Sequence, residues 1–180
     1  MKYLLDQNET ERLLFRKIQD PDFEVWQEFH KDPSTSLYWK GEKEAPETEC
    51  RKWYEKQYWR YENDLGGMNA LIEKQSGKLI GHCGLIVQNV DGNTELEIAY
   101  SLLPAYWNKG YAAEAAIRCR DTAFANNYAD SLISIISTTN IPSQKVALKV
   151  GMQVEKQTIY NGNEVDIFRI WKREWTNNTL

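Results

Sequence analysis

The stretch TELEIAYSLLPAYWNKGYAAEAA, Thr94 to Ala116, decides the fold. Its first half alternates: Leu96, Ile98, Tyr100 and Leu102 fall on one strand face, and Glu95, Glu97, Ala99 and Ser101 on the other. Pro104 stops that strand. A loop of small residues, Trp107 to Ala113, then opens directly into an alanine-rich helix. The first-turn N–H groups of such a helix lack intrahelical partners, and the helix dipole favours negative charge there. The corner is therefore suited to an anion, and small side chains let phosphate oxygens approach the main chain.

Working outward from this corner, the pattern predicts the order β α α β β β α β α β β. Thr10 to Ile18 reads as a first strand, with Leu13 and Phe15 alternating against charged neighbours. Pro21 opens a helix over 22–31, and a second helix covers Pro46 to Asn63, ended by Gly66-Gly67. Strands at 68–74 and 78–87 are joined by Gln75-Ser76-Gly77, and Asp91-Gly92 turns the chain into the strand 94–103. After the helix 111–126, the β-branched run Ser131 to Ser137 reads as a strand covered on both faces. A short helix at 143–150 closes on Gly151, and Asn161-Gly162 turns a last hairpin, 152–160 with 164–171. The expected class is a mixed α/β fold with a mostly antiparallel sheet, one βαβ crossover and flanking helices, spanning 1–180 as one domain.

Composition narrows the function. A net charge of −4 without a lysine or arginine cluster argues against nucleic-acid binding. No apolar run is long enough to span a bilayer, and MKYLLDQNETERLL lacks a signal core, so a cytoplasmic protein is expected. Three widely spaced cysteines, Cys50, Cys83 and Cys119, fit reduced thiols better than a disulfide framework or zinc site, and no metal is expected. His82 and Cys83 adjoin in a strand and so point to opposite faces, which makes a packed histidine the better reading than a nucleophile pair.

Three segments, in order and in compatible secondary structure, carry a resemblance. Glu95 to Leu102 is similar to an E-x-G-Y-x-L strand, Tyr106 to Ala115 to a Y-W-G-K-G-Y-A-T-E-A loop, and Asn140 to Met152 to an N-x-x-S…K-x-G-F segment. Together they resemble the GNAT superfamily of N-acetyltransferases, in the branch of the ribosomal-protein N-terminal acetyltransferases, over roughly 11–172. The departures are Trp107 for glutamine or arginine, Asn108 and Ala99 for glycine, and Ala113 for threonine. Asparagine accepts positive φ better than most residues, which makes Asn108 tolerable.

The resemblance implies acetyl-CoA as co-substrate. Trp107, Asn108, Lys109, Gly110, Tyr111, Ala112 and Ala113 would hold its pyrophosphate, and Tyr100, Ser101, Leu102 and Leu103 would offer main-chain groups to the pantetheine arm. A main-chain N–H near Tyr100 to Leu102 would be the oxyanion donor. Asn140 would bind the CoA arm, and Ser143 would sit near the sulfur and assist the departing thiolate, although both also suit a helix cap. Glu97 becomes the candidate general base, because an ammonium cannot attack a thioester before losing a proton. Glu95 reads as a solvated strand face. The aromatics Trp26, Tyr38, Trp39, Trp53, Tyr54, Tyr58, Trp59 and Tyr61 read mainly as core, with some forming an acceptor wall. The acceptor would be a protein N-terminus, a small amine or an amino-sugar, and a homodimer is plausible. The alternative from another class is a non-catalytic acyl-CoA-binding or sensing module. A nucleotide phosphate loop ranks below both, since no G-K-[ST] pair is present.

Overall fold

The computed structural model describes residues 2–175, so the first residue and the last five of the expected domain lie outside the described residues. One seven-stranded sheet organises the chain in the order β1-β2-β3-β4-β5-β7-β6. Its strands are β1 (Leu13–Arg16), β2 (Gly66–Glu73), β3 (Lys78–Val90), β4 (Asn93–Leu102), β5 (Ser131–Ser137), β6 (Gln153–Tyr160) and β7 (Asn163–Trp171). Neighbouring strands are antiparallel except β4 and β5, joined by the crossover helix α3 (Tyr111–Ala125). The helices α1 (Asp22–Lys31) and α2 (Pro46–Glu62) precede β2, and α4 (Ile141–Val150) follows β5. The expected element order and mixed class hold.

Three buried apolar clusters pack against the sheet, the smallest of them Val90, Ile133, Ile135, Val165 and Ile167. The largest joins Leu85, Leu96, Ile98 and Leu102 to the α3 stripe Ala116, Cys119 and Ala123. A second, on the opposite face, packs Trp26, Cys50 and Tyr54 of α1 and α2 over Ala70 and Leu79. Cys50, Cys83 and Cys119 are free and buried, with Cys83 Sγ 3.6 Å from Cys119 Sγ in the largest cluster.

Four elements depart from the sequence reading by two residues or more at an end. β1 is only four residues long, because the main chain at Gln7 and Asn8 folds back to pair with Phe15 and Thr10 pairs with Leu13. Gly66-Gly67 does not end α2, whose cap is Asn63; the two glycines open β2. A Cβ at Gly66 would lie 2.0 Å from the Leu85 carbonyl oxygen, so close strand contact requires glycine there. β3 continues to Val90, carried by cross-strand pairing with β4. α4 starts two residues early because Asn140 Oδ1 accepts the Ser143 N–H at 3.1 Å as an N-cap.

Candidate active site

β4 and β5 pair at a single register position, Glu97 opposite Ile133. The paired end is clamped from outside: Arg169 of β7 forks onto Glu95 at 2.7 and 3.0 Å and reaches Ser131 Oγ at 2.6 Å. Glu95 is thus a structural ion-pair partner rather than a solvated residue. Beyond the pairing position the Ser134 hydroxyl donates to Ile98 O at 2.8 Å, and the strands part.

The parted strands open toward the start of α3. Gly110 holds the N-cap at φ +84 with no side chain capping the helix, so the first-turn amides have no side-chain partner. Asn108 also takes a left-handed conformation, φ +59, as its tolerance of positive φ anticipates. A strut from the residue just before β1 braces this turn. Arg12 bonds Glu114 through Nε at 2.6 Å and the Lys109 carbonyl through Nη1 at 3.0 Å, with its guanidinium 4.3 Å from the Tyr111 ring centroid.

One cavity of about 750 Å³ runs from this turn through the parted strands to the aromatic rings of α1 and α2. It brings together Glu97, Tyr100, Ser101, Leu102, Trp107, Asn108, Gly110, Tyr111, Ala112, Ala113, Asn140 and Ser143. Two sequence candidates lie elsewhere. The Leu103 N–H donates to Ile80 O and its carbonyl accepts the Tyr106 N–H, so its main chain is already used. Lys109 does not line the cavity; its ammonium lies over the Tyr106 ring, 5.4 Å from the centroid. Asn140 and Ser143 line the cavity while also forming the α4 cap. Tyr100 OH donates to Ser143 O at 2.8 Å, and the Trp107 indole N–H donates to Leu102 O at 2.7 Å, so both ends of the cleft are pinned by side chains.

Glu97 is only 7% exposed yet borders the cavity. Burial pushes its carboxyl above the usual carboxylate range, against the pull of Gln88, the Ile135 N–H, Arg60 and Lys56. Its orientation comes from a relay that sequence reasoning missed. Arg60 of α2, itself buried, donates to Val87 O at 2.9 Å and Gln88 Oε1 at 3.0 Å. Gln88 Nε2 then donates to Glu97 Oε2 at 2.9 Å. Nothing in the local sequence marks Gln88 or Arg60, since the contact spans three elements. Lys145 and Lys149 were also overlooked, although their i,i+4 spacing sets them on one face of α4, toward the cavity.

At the other end, Trp53 and Phe29 reach the cavity while Tyr54 is core. His82, on the same sheet face as its register partner Ser101, is wholly buried between Trp26 and Trp53, at 4.2 and 4.6 Å between ring centroids. The packed-histidine reading holds. Neither ring nitrogen has a hydrogen-bond partner among the described residues. Burial first, with Arg16 and His30 adding repulsion, pushes its pKa down to about 3. An unfolded histidine protonates near pH 6.5, so acid feeds protons to the unfolded state first. Stability from this group is complete above about pH 6.5 and is lost as pH falls toward 3. His82→Phe is expected to flatten that acid limb, as read by urea unfolding at pH 7, 5.5 and 4; an unchanged pH slope would contradict it.

With this geometry in view, comparison with known proteins gives the family. The model for the acetyltransferase (GNAT) domain matches residues 12–153. The chain is 31% identical over 151 residues to the uncharacterized protein YkkB of Bacillus subtilis, covering 82% of this chain and 85% of the relative. It is 30% identical over 176 residues to the uncharacterized N-acetyltransferase YnaD of the same organism, covering 92% and 97%. An acetyltransferase structure from Agrobacterium tumefaciens superposes with a TM-score of 0.76 at 24% identity, covering 91% and 92%. This chain belongs to the GNAT acetyltransferase family.

Among the described residues, no helix is long and apolar enough to cross a membrane, and no group of three or more His, Cys, Asp or Glu side chains could hold a metal ion.

Proposed function

We propose that this protein is an acetyl-CoA-dependent N-acetyltransferase that transfers the acetyl group directly to a primary amine within a ternary complex. The observation that carries this reading is a single cavity joining an uncapped helix start, parted strands and a buried carboxylate. The unpartnered amides of α3 suit a pyrophosphate. The parted edges of β4 and β5 leave main-chain groups that an extended, amide-bearing arm satisfies as an added strand would.

In the proposed reaction the amine donates its proton to Glu97, directly or through one water, and its nitrogen attacks the thioester carbonyl. A β4 main-chain N–H near Tyr100 to Leu102 receives the charge that develops on the carbonyl oxygen. The carbon–sulfur bond then breaks, and the second proton shed by the attacking nitrogen passes by way of the Ser143 hydroxyl to the departing thiolate, leaving a neutral amide and the CoA thiol. Holding both reactants in one cavity supplies much of the rate by proximity. No cysteine nucleophile is needed, and all three cysteines are buried away from the cavity.

Calorimetric titration with acetyl-CoA, paired with thiol release in the presence of amines, tests the reading. Binding is expected, and Ala113→Glu, which sets a carboxylate among the proposed phosphate-binding amides, is expected to weaken it at least tenfold. Absence of heat with acetyl-CoA and with CoA would refute the reading.

A further inference from the structure

The cavity's far wall carries information about the acceptor. Its side chains there are aromatic: Phe29 of α1, Trp53 of α2, and Tyr38 and Trp39 of the segment between those helices. Glu97 is the only acidic side chain among the described residues that border the cavity. A single buried carboxylate compensates a single ammonium. A second ammonium carried in with the same molecule would be desolvated without a partner.

The hydroxyls and several main-chain N–H groups of the segment between α1 and α2 are already committed. The Ser34 hydroxyl donates to Asp32 Oδ1 at 2.6 Å, and Thr35 Oγ1 donates to Phe29 O at 2.7 Å. The Trp39 N–H bonds Ser36 O, and the Lys40 N–H is held by the buried Asn163 side chain at 2.6 Å. What remains of this wall is mostly ring surface, whose polar tips are the Tyr38 hydroxyl and the indole N–H groups of Trp39 and Trp53, few groups to grip a peptide main chain. The rings are also preset: Phe29 stacks on Trp26 at 4.3 Å and 15°, and Trp53 leans on Trp26 at 5.6 Å. Such faces accept flat apolar bodies and a lone cation.

The geometry points to a small primary amine bearing one positive charge on a flat apolar or aromatic body as the acceptor, with polyamines and peptide N-termini excluded. This rests on the N-acetyltransferase reading above and specifies its second substrate.

The test compares kcat/KM for 2-phenylethylamine, ethylamine, spermidine and an alanine-led tripeptide at saturating acetyl-CoA, with the whole protein. 2-Phenylethylamine is expected to exceed each of the others at least tenfold. Trp53→Ala is expected to shrink the phenylethylamine-to-ethylamine ratio at least fivefold, mainly through KM, while Trp53→Phe keeps most of it. Trp39→Ala is the second variant; Trp39 is 40% exposed, so its loss leaves the fold intact, and the same ratio should fall about two- to threefold. Preference for spermidine or the peptide, or a ratio unmoved in both alanine variants, overturns this inference alone. No thiol release with any amine, or no binding of acetyl-CoA, overturns the N-acetyltransferase reading and this inference with it.

Discussion

Glu97→Gln is expected to lower kcat by roughly 10²- to 10⁴-fold, the range for losing a positioned general base, while acetyl-CoA affinity stays within about twofold. Glutamine keeps a carbonyl that accepts the Gln88 and Ile135 donors, so the cleft retains its shape. It cannot take a proton. The same change is expected to stabilise the protein at neutral pH. A free glutamate ionises near pH 4.3, whereas burial holds the Glu97 carboxyl protonated to higher pH. Between the two values the unfolded chain loses its proton first, so stability falls as pH rises through that window. Above the window the loss is constant, and the glutamine variant escapes it. Thermal melts at pH 4 and pH 7.5 should therefore show the variant gaining on the native protein at the higher pH only. Unchanged turnover would remove Glu97 from the chemistry. Turnover absent from the native protein against every amine, with acetyl-CoA still bound, would instead favour the non-catalytic binding module.

Gly84→Val is expected to destabilise the sheet strongly. A Cβ at Gly84 would lie 2.2 Å from the Gly67 carbonyl oxygen and 2.9 Å from the Met68 Cα. Both are main-chain atoms of β2, so no rotamer change relieves the clash, and β2 must separate from β3. Overpacking of this kind costs about 3 kcal/mol or more. For a chain of this size that is a fall of roughly 6–12 °C in Tm. Gly84 also pairs with Ala99, which borders the cavity, so the strain reaches the site. Gly77→Ala is the comparison: nothing lies within 4 Å of its added Cβ, and its φ of +68° leaves only the left-handed penalty of about 1–2 kcal/mol. Equal melting temperatures for the two variants would refute the account.

Much of the architecture follows from local rules. Alternation at Glu95 to Leu102 sent Leu96, Ile98 and Leu102 into the largest cluster and Glu97 to the opposite face, because a strand has a period of two. Hairpin turns at Asp91-Gly92 and Asn161-Gly162 stood where their left-handed residues require. Gly66-Gly67 misled because a glycine pair punctuates helices and strands alike. Its actual role, admitting the Leu85 carbonyl and the Tyr61 ring, depends on how β2 packs against β3 and α2. Leu103 stands outside the cavity for the same kind of reason: its amide bonds Ile80 O, a partner no local pattern names.

By itself, then, the sequence determined the order of elements, the helix start suited to an anion and the strand face on which Glu97 stands. Those depend on periodicity and on residues within a few positions of one another. Only the tertiary structure decided at which residue β4 and β5 part, that Arg60 orients Glu97 through Gln88, and which aromatic rings of α1, α2 and the segment between them wall one end of the cavity. The reason is physical: burial and hydrogen-bond partnership are set by which surfaces meet when the sheet closes against its helices, and spacing along the chain does not encode those meetings.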